Sequence, residues 1–183
     1  MEILFRDIVL TPWRLEYAAR LAEIANNRNI GDNLRDGLPN PYTYEDALTW
    51  LNMTIPVNNP PRYFAIFSGG LIAGSIGLLS KDNIYRKNME IGYFLDEKLW
   101  GKGIMTSSVI SAVTYAFFEF DIERIYAEVF ADNPGSRRAL EKAGFTCEAL
   151  IKKNIIKNDL IKDSCIYSLL KENFIPAGIK INP

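Results

Sequence analysis

Gly101-Lys102-Gly103 stands directly ahead of a stretch that starts at Ile104 and carries Val109, Val113, Ala116, Phe117 and Phe120 on one helical face. Backbone N–H groups in the first turn of a helix have no partner inside it, and together with the helix dipole they hold an anion such as a pyrophosphate. A tight turn with no ligand would use the same glycines. Two common nucleotide sites do not fit the spacing. A dinucleotide site needs its glycine turn directly after a strand and a third glycine, whereas here 96–100 intervene and Thr106 takes the third-glycine position. A P-loop needs Gly, four residues, then Gly-Lys and Ser or Thr, and the chain contains no such run.

The chain has no histidine, which excludes His-based triads, His-ligated zinc or iron, and the usual base that titrates near neutrality. Acid–base work falls to carboxylates, Tyr, Lys, Ser, Cys or water, and no metal is expected. Cys147 and Cys165 lack CxxC spacing and read as two small core residues in a reducing compartment. Lys plus Arg number 21 against 22 Asp plus Glu, a net charge of −1, so nothing in the charge demands nucleic acid or an anionic membrane as partner. The opening MEILFRD has no signal-peptide pattern, and the longest apolar helix candidate, 109–120, is short and interrupted by Ser111, Thr114 and Glu119. The expected location is the cytoplasm, as a monomer or homodimer.

The elements that must position the glycine turn follow from periodicity. With 183 residues, 48% of them hydrophobic, the chain supports one domain, read as 1–174 with a tail at 175–183 that is either disordered or docked on a neighbouring subunit. A strand is expected over 3–10, then a helix over 12–25 with Thr11 as cap and Pro12 at its first position. Residues 26–42 read as a long loop with room for one helical turn. Thr43 and Asp46 form a capping-box-like start for a helix carrying Ala47, Trp50 and Leu51, ended by Asn58, Asn59, Pro60 and Pro61. A hairpin is expected from 63–67 and 71–79 around Ser68-Gly69-Gly70, and a further strand over 89–95. Strand 89–95, the helix from Ile104 and strand 124–131 make a right-handed crossover, so the two strands should run parallel. Asn133 and Pro134 cap and open another helix, stopped by Gly144, and strands are expected over 145–152 and 164–170.

In this order of elements the chain resembles the GNAT superfamily of N-acetyltransferases. The pyrophosphate loop of that family, Gln or Arg, two residues, Gly, one residue, then Gly or Ala, has its counterpart in Trp100-Gly101-Lys102-Gly103-Ile104-Met105. Within the superfamily the chain is most similar to the ribosomal-protein-serine/alanine N-terminal acetyltransferase type, through Asn40-Pro41-Tyr42-Thr43 with Asp46-Ala47, Glu90-Ile91-Gly92-Tyr93, the glycine loop, and Asn133 with Ser136 ahead of Glu141-Lys142-Ala143-Gly144-Phe145. Asp163 to Leu170 is a weaker match. The resemblance implies a mixed α/β GNAT-type fold: a central, mostly antiparallel sheet with one splayed parallel strand pair, flanked by helices. It also implies acetyl-CoA as co-substrate and a primary amine as acceptor, either a protein or peptide N-terminus or a small molecule such as an aminoglycoside or polyamine. A non-catalytic acyl-CoA-binding regulatory domain is the alternative.

The family's site implies that the backbone of Phe94 and Leu95 bonds the pantetheine and receives the oxyanion, that Trp100, Gly101, Lys102, Gly103, Ile104, Met105 and Thr106 hold the pyrophosphate, and that Asn133 and Ser136 lie near the thiol. Asn133 and Ser136 could equally serve only to cap their helix. Met105 replaces the usual Gly or Ala, Ser107-Ser108 replace Glu-Ala, and Leu140 replaces a tyrosine that serves some members as general acid. Either CoA is held differently or its binding is weakened, and the acid role passes to Ser136, another group or water. For the base, Glu90 and Glu128 are the candidates, with Glu90 preferred. Tyr93, Tyr126 and Trp50 read as core or cleft lining, and Arg137, Arg138 and Lys142 as a solvated helix face.

Overall fold

In the computed structural model, residues 1–182 are described. The strands are β1 (Glu2–Phe5), β2 (Ile8–Pro12), β3 (Tyr63–Ser68), β4 (Leu71–Ser80), β5 (Asn88–Leu95), β6 (Arg124–Phe130), β7 (Thr146–Lys157), β8 (Leu160–Leu170) and β9 (Lys180–Asn182). The helices are α1 (Ala18–Ala25), α2 (Arg28–Gly31), α3 (Tyr44–Thr54), α4 (Ile104–Glu119) and α5 (Pro134–Lys142). All the strands join one sheet in the order β7-β8-β6-β5-β4-β3-β2-β1-β9, and β5–β6 is its parallel pair, the rest being antiparallel. This is the mixed α/β GNAT fold that the sequence leads one to expect.

Strand alternation sends side chains to two separate cores. On one face Ile3, Leu10, Phe64, Ile76, Met89, Ile91, Ile125 and Ala127 pack with α4 and with Leu140 of α5. On the other, Ala65 and Ile72 pack with Trp13, Leu21, Ala47 and Leu51 from the α1–α3 side. Helix α4 is buried along most of its length, and Ser108, Ser111 and Thr114 return their hydroxyls to the carbonyls of Ile104, Ser107 and Ile110 at 2.8–2.9 Å. These three hydroxyls are therefore paired inside the helix, while the buried Tyr115 hydroxyl has no partner among the described residues.

Several local expectations are corrected. Thr11 and Pro12 do not open a helix. They end β2, where Pro12 pairs with Phe64, and α1 starts only at Ala18 after a turn of 3-10 helix at Leu15–Tyr17. The single strand over 3–10 is a hairpin, turned at Arg6 with φ 54°. β7 and β8 reach beyond 152 and start before 164, meeting at Asn158-Asp159, both at positive φ. The tail adds β9 to the chain's own sheet, Ile181 opposite Ile3. Cys165 is buried but Cys147 is exposed, so only one of the cysteines is a core residue.

Candidate active site

The cradle ahead of α4 is built from two left-handed glycines, Gly101 at φ 77° and Gly103 at φ 79°. The Ser107 N–H bonds the Gly103 carbonyl at 3.1 Å, so the N–H groups of Ile104, Met105 and Thr106 precede the first intrahelical bond and face the turn. Met105 packs its side chain against the core, away from those N–H groups, and Ser107 and Ser108 are also turned inward. The donor set therefore fits a pyrophosphate despite the departures from the family pattern.

The turn is anchored on both flanks. Trp100 Nε1 donates to the Leu95 carbonyl at 2.9 Å. Arg20 of α1 donates to Asp96 at 2.7 Å and to the Ile72 carbonyl at 3.0 Å. Burial pushes the Asp96 carboxyl upward, but the Arg20 hydrogen bond, the Lys98 N–H and the charges of both hold it below the ordinary range. β4 comes so close behind β5 that a Cβ on Gly74 would lie 2.2 Å from the Phe94 oxygen, and only glycine fits there.

Beside this cradle the parallel pair opens into a slot. β5 and β6 share only Asn88–Arg124, Met89–Ile125 and Glu90–Tyr126. Past Glu90 they diverge, while β5 stays paired to β4 as far as Leu95 and β6 to β8 as far as Phe130. Backbone groups of 91–95 that face away from β4 therefore have no strand partner among the described residues, although the Leu95 carbonyl is taken by Trp100 and the Phe94 oxygen lies against Gly74 of β4.

Both carboxylates expected from sequence stand at the vertex, on the α1–α3 face. Glu90 is 6% exposed and meets Arg35 NH2 at 2.5 Å, Lys81 Nζ at 2.7 Å and the Tyr126 hydroxyl at 3.4 Å. Burial is the largest single influence and raises its affinity for a proton, but the Lys81 hydrogen bond and the charges of Arg35 and Lys81 outweigh it, keeping Glu90 ionised below the usual carboxylate range. Glu128 accepts from Asn154 Nδ2 at 2.7 Å and the Ser164 hydroxyl at 2.8 Å, and its other oxygen lies 3.7 Å from Arg35. Arg35 thus spans both, a contact across 55 residues that no sequence pattern signals.

On the opposite face the Tyr93 hydroxyl lies 2.9 Å from Ser136 Oγ. Burial pushes the Tyr93 pKa up to about 12 despite the Ser136 hydrogen bond, so Tyr93 keeps its proton. Asn133 Oδ1 accepts from the Ser136 N–H at 3.0 Å and caps α5. Leu140 is fully buried in the core. Arg137 is not on a solvated face: it donates to the Tyr167 hydroxyl and the Ala131 carbonyl at 3.1 Å. The sequence reading took Tyr93 as core or cleft lining and gave it no chemical part. Its placement beside Glu90-Ile91-Gly92, where the strands part, is the signal that could have found it.

A family model described as an acetyltransferase (GNAT) domain matches residues 7–146. The chain is 44% identical over 98 residues to the probable N-acetyltransferase YjcK of Bacillus subtilis, an alignment covering 52% of this chain and 54% of that protein, so it spans about half the length of this relative. It is 30% identical over 163 residues to the putative ribosomal N-acetyltransferase YdaF of the same organism, 86% of this chain and 87% of that one. Among solved structures, RimL, a ribosomal L7/L12 alpha-N-protein acetyltransferase in complex with coenzyme A, superposes with a TM-score of 0.82 at 21% identity, over 93% of this chain and 97% of that one, a likeness of fold. No described helix is long and apolar enough to cross a membrane.

Proposed function

The chain belongs to the GNAT acetyltransferase family, and from that premise we propose that it transfers the acetyl group of acetyl-CoA to a primary amine, foremost the α-amine of a protein or peptide and next a small-molecule amine. The observation that carries this reading is the slot at the β5–β6 vertex, with carboxylates on one face, a hydroxyl pair on the other and an anion cradle beside it. The name and coenzyme A complex of RimL, and the name of YdaF, support both the co-substrate and the acceptor class. The cytoplasmic location belongs to the same proposal.

In this reading Trp100 to Thr106 hold the pyrophosphate through the turn and the first N–H groups of α4, and the edge of β5 at Phe94 and Leu95 binds the pantetheine and receives the developing oxyanion. The amine must be neutral to attack, and an α-amine with a reference pKa of about 7.7–8.0 needs less help than a lysine near 10.4. The carboxylates take its proton, directly or through water. Both oxygens of Glu90, the carboxylate preferred from sequence, are held by cations, whereas one Glu128 oxygen is held by neutral donors and the other stands 3.7 Å from Arg35, so Glu128 has the freer oxygen and is assigned the larger share. Ser136 donates a hydrogen bond to the departing thiolate, backed by the protonated Tyr93, and so fills the role that buried Leu140 does not. Asn133 positions Ser136 by capping α5.

The reading is tested by incubating the protein with labelled acetyl-CoA, peptides with varied N-termini and a set of small amines. Label is expected on peptide α-amines. Thermal stabilisation by acetyl-CoA with no transfer to any amine would replace it with a non-catalytic acyl-CoA-binding domain.

A further inference from the structure

The α2–α3 connection carries one cation into the site, and that cation differs from the others there. Arg35 itself is two-thirds exposed, yet its guanidinium sits against Glu90, whose side chain is 8% exposed, and reaches toward Glu128. Lys81, the second partner of Glu90, comes from the start of the β4–β5 connection, beside the paired part of the sheet. Two carboxylates face two cations, so the resting vertex is balanced. Without Arg35 one negative charge is left uncompensated, which is the charge that a single ammonium would neutralise.

The segment bearing Arg35 is tied to a neighbouring hairpin on either side of that residue. Asp32 accepts from Asn158 Nδ2, and Asp36 from Lys157 Nζ, both at 2.8 Å, so the two ties bracket Arg35 and both end on the tip of the β7–β8 hairpin. Asp36 is exposed and Lys157 is buried, and Leu34, between the two ties, packs against the α1–α3 core. The same hairpin supplies Asn154 and Ser164 to Glu128. Withdrawal of Arg35 therefore removes one cation and leaves the carboxylates in place.

We propose that Arg35 is a specificity residue that stands in for the acceptor: its guanidinium occupies, between Glu90 and Glu128, the position that the ammonium of a cationic amine takes when the exposed Arg35 side chain swings aside. This rests on the acetyl-transfer reading above. A guanidinium suits the role because it stays charged at any working pH and offers no neutral amine for attack. A primary amine at the same point would itself be a nucleophile.

Arg35→Lys provides the test, because it places such an amine there. With acetyl-CoA, the new ammonium gives one proton to a carboxylate, its nitrogen forms an amide bond to the acetyl carbon, the thioester C–S bond breaks, and the second proton lost from nitrogen leaves with coenzyme A as its thiol. Peptide mass spectrometry should find acetyl at residue 35 in Arg35→Lys, and no acetyl on that peptide in wild type or Arg35→Gln. In Arg35→Gln, the KM for the amine should fall about tenfold with the KM for acetyl-CoA and the melting temperature unchanged, the pattern expected when a competing closed state is removed. An active wild type, with no acetyl at residue 35 in Arg35→Lys and an unaltered or raised amine KM in Arg35→Gln, overturns the inference and leaves the enzyme reading intact. Acetyl-CoA binding with no transfer to any amine, the introduced lysine included, overturns both.

Discussion

Tyr93 and Ser136 come from β5 and α5, 43 residues apart, and meet through hydroxyls 2.9 Å apart. Either oxygen can donate, so in the proposed mechanism a proton delivered from Ser136 would be replaced from Tyr93. Ser136→Ala should lower turnover more than tenfold, within the range of about 10² to 10⁴ for general acid–base groups, while acetyl-CoA affinity and melting temperature stay nearly constant. Tyr93→Phe should show a smaller loss of the same kind, since water can re-protonate Ser136. Loss of stability in step with activity, measured by thermal denaturation beside steady-state kinetics, would return Ser136 to a capping role. Single positions were legible where the residue acts on its own neighbourhood: Asn133 and Thr43 cap the helices their types and spacing announce. Pairs such as Arg35 with Glu90 were not, because each residue taken alone reads as a surface charge and only the folded sheet brings them together.

Among the elements, α4 and its glycine turn were readable because helix N-terminal signals are local. Gly103 shows the limit of that reading. A Cβ at this position meets nothing within 4 Å, so crowding is not what requires glycine here. The backbone at φ 79° is the reason, since a β-branched residue is strongly disfavoured there. Gly103→Val should therefore re-form the turn and abolish the thermal shift given by acetyl-CoA, and an undiminished shift would remove the cradle from the binding site. Thr11-Pro12 failed as a signal for the opposite reason. The same dipeptide suits a helix start or a strand end, and pairing of Pro12 with Phe64 decided the matter at a distance. The β7–β8 hairpin was underestimated because its register shifts between Ile151 and Ile155, where Lys153 lies at φ 53°, breaking the alternation by which strands are recognised.

At the scale of the molecule the chain's last strand forms one edge of the sheet, where β9 covers β1 while the Phe174 and Phe117 rings lie 4.9 Å apart and Ile179 packs against the core. Deleting the chain after Phe174 should cost about 1–2 kcal/mol from the lost burial of Ile179, a fall of roughly 2–8 °C in melting temperature for a domain of this size. Differential scanning fluorimetry would show it, and an unchanged midpoint would mean that β9 contributes nothing. The other seam is interior. Three strands, β7, β8 and β6, meet the other six through three residue pairs at 88–90 and 124–126, whereas β4–β5 and β6–β8 are paired over seven each. The two parts are stiff plates on a narrow hinge, and α4, packed on β1, β2 and β4 and also on α5, is the strut that crosses from one to the other. Any rotation about the hinge must then turn that strut, so the width of the slot and the aim of the N–H groups at its head are geared together, and force applied at either is delivered to both.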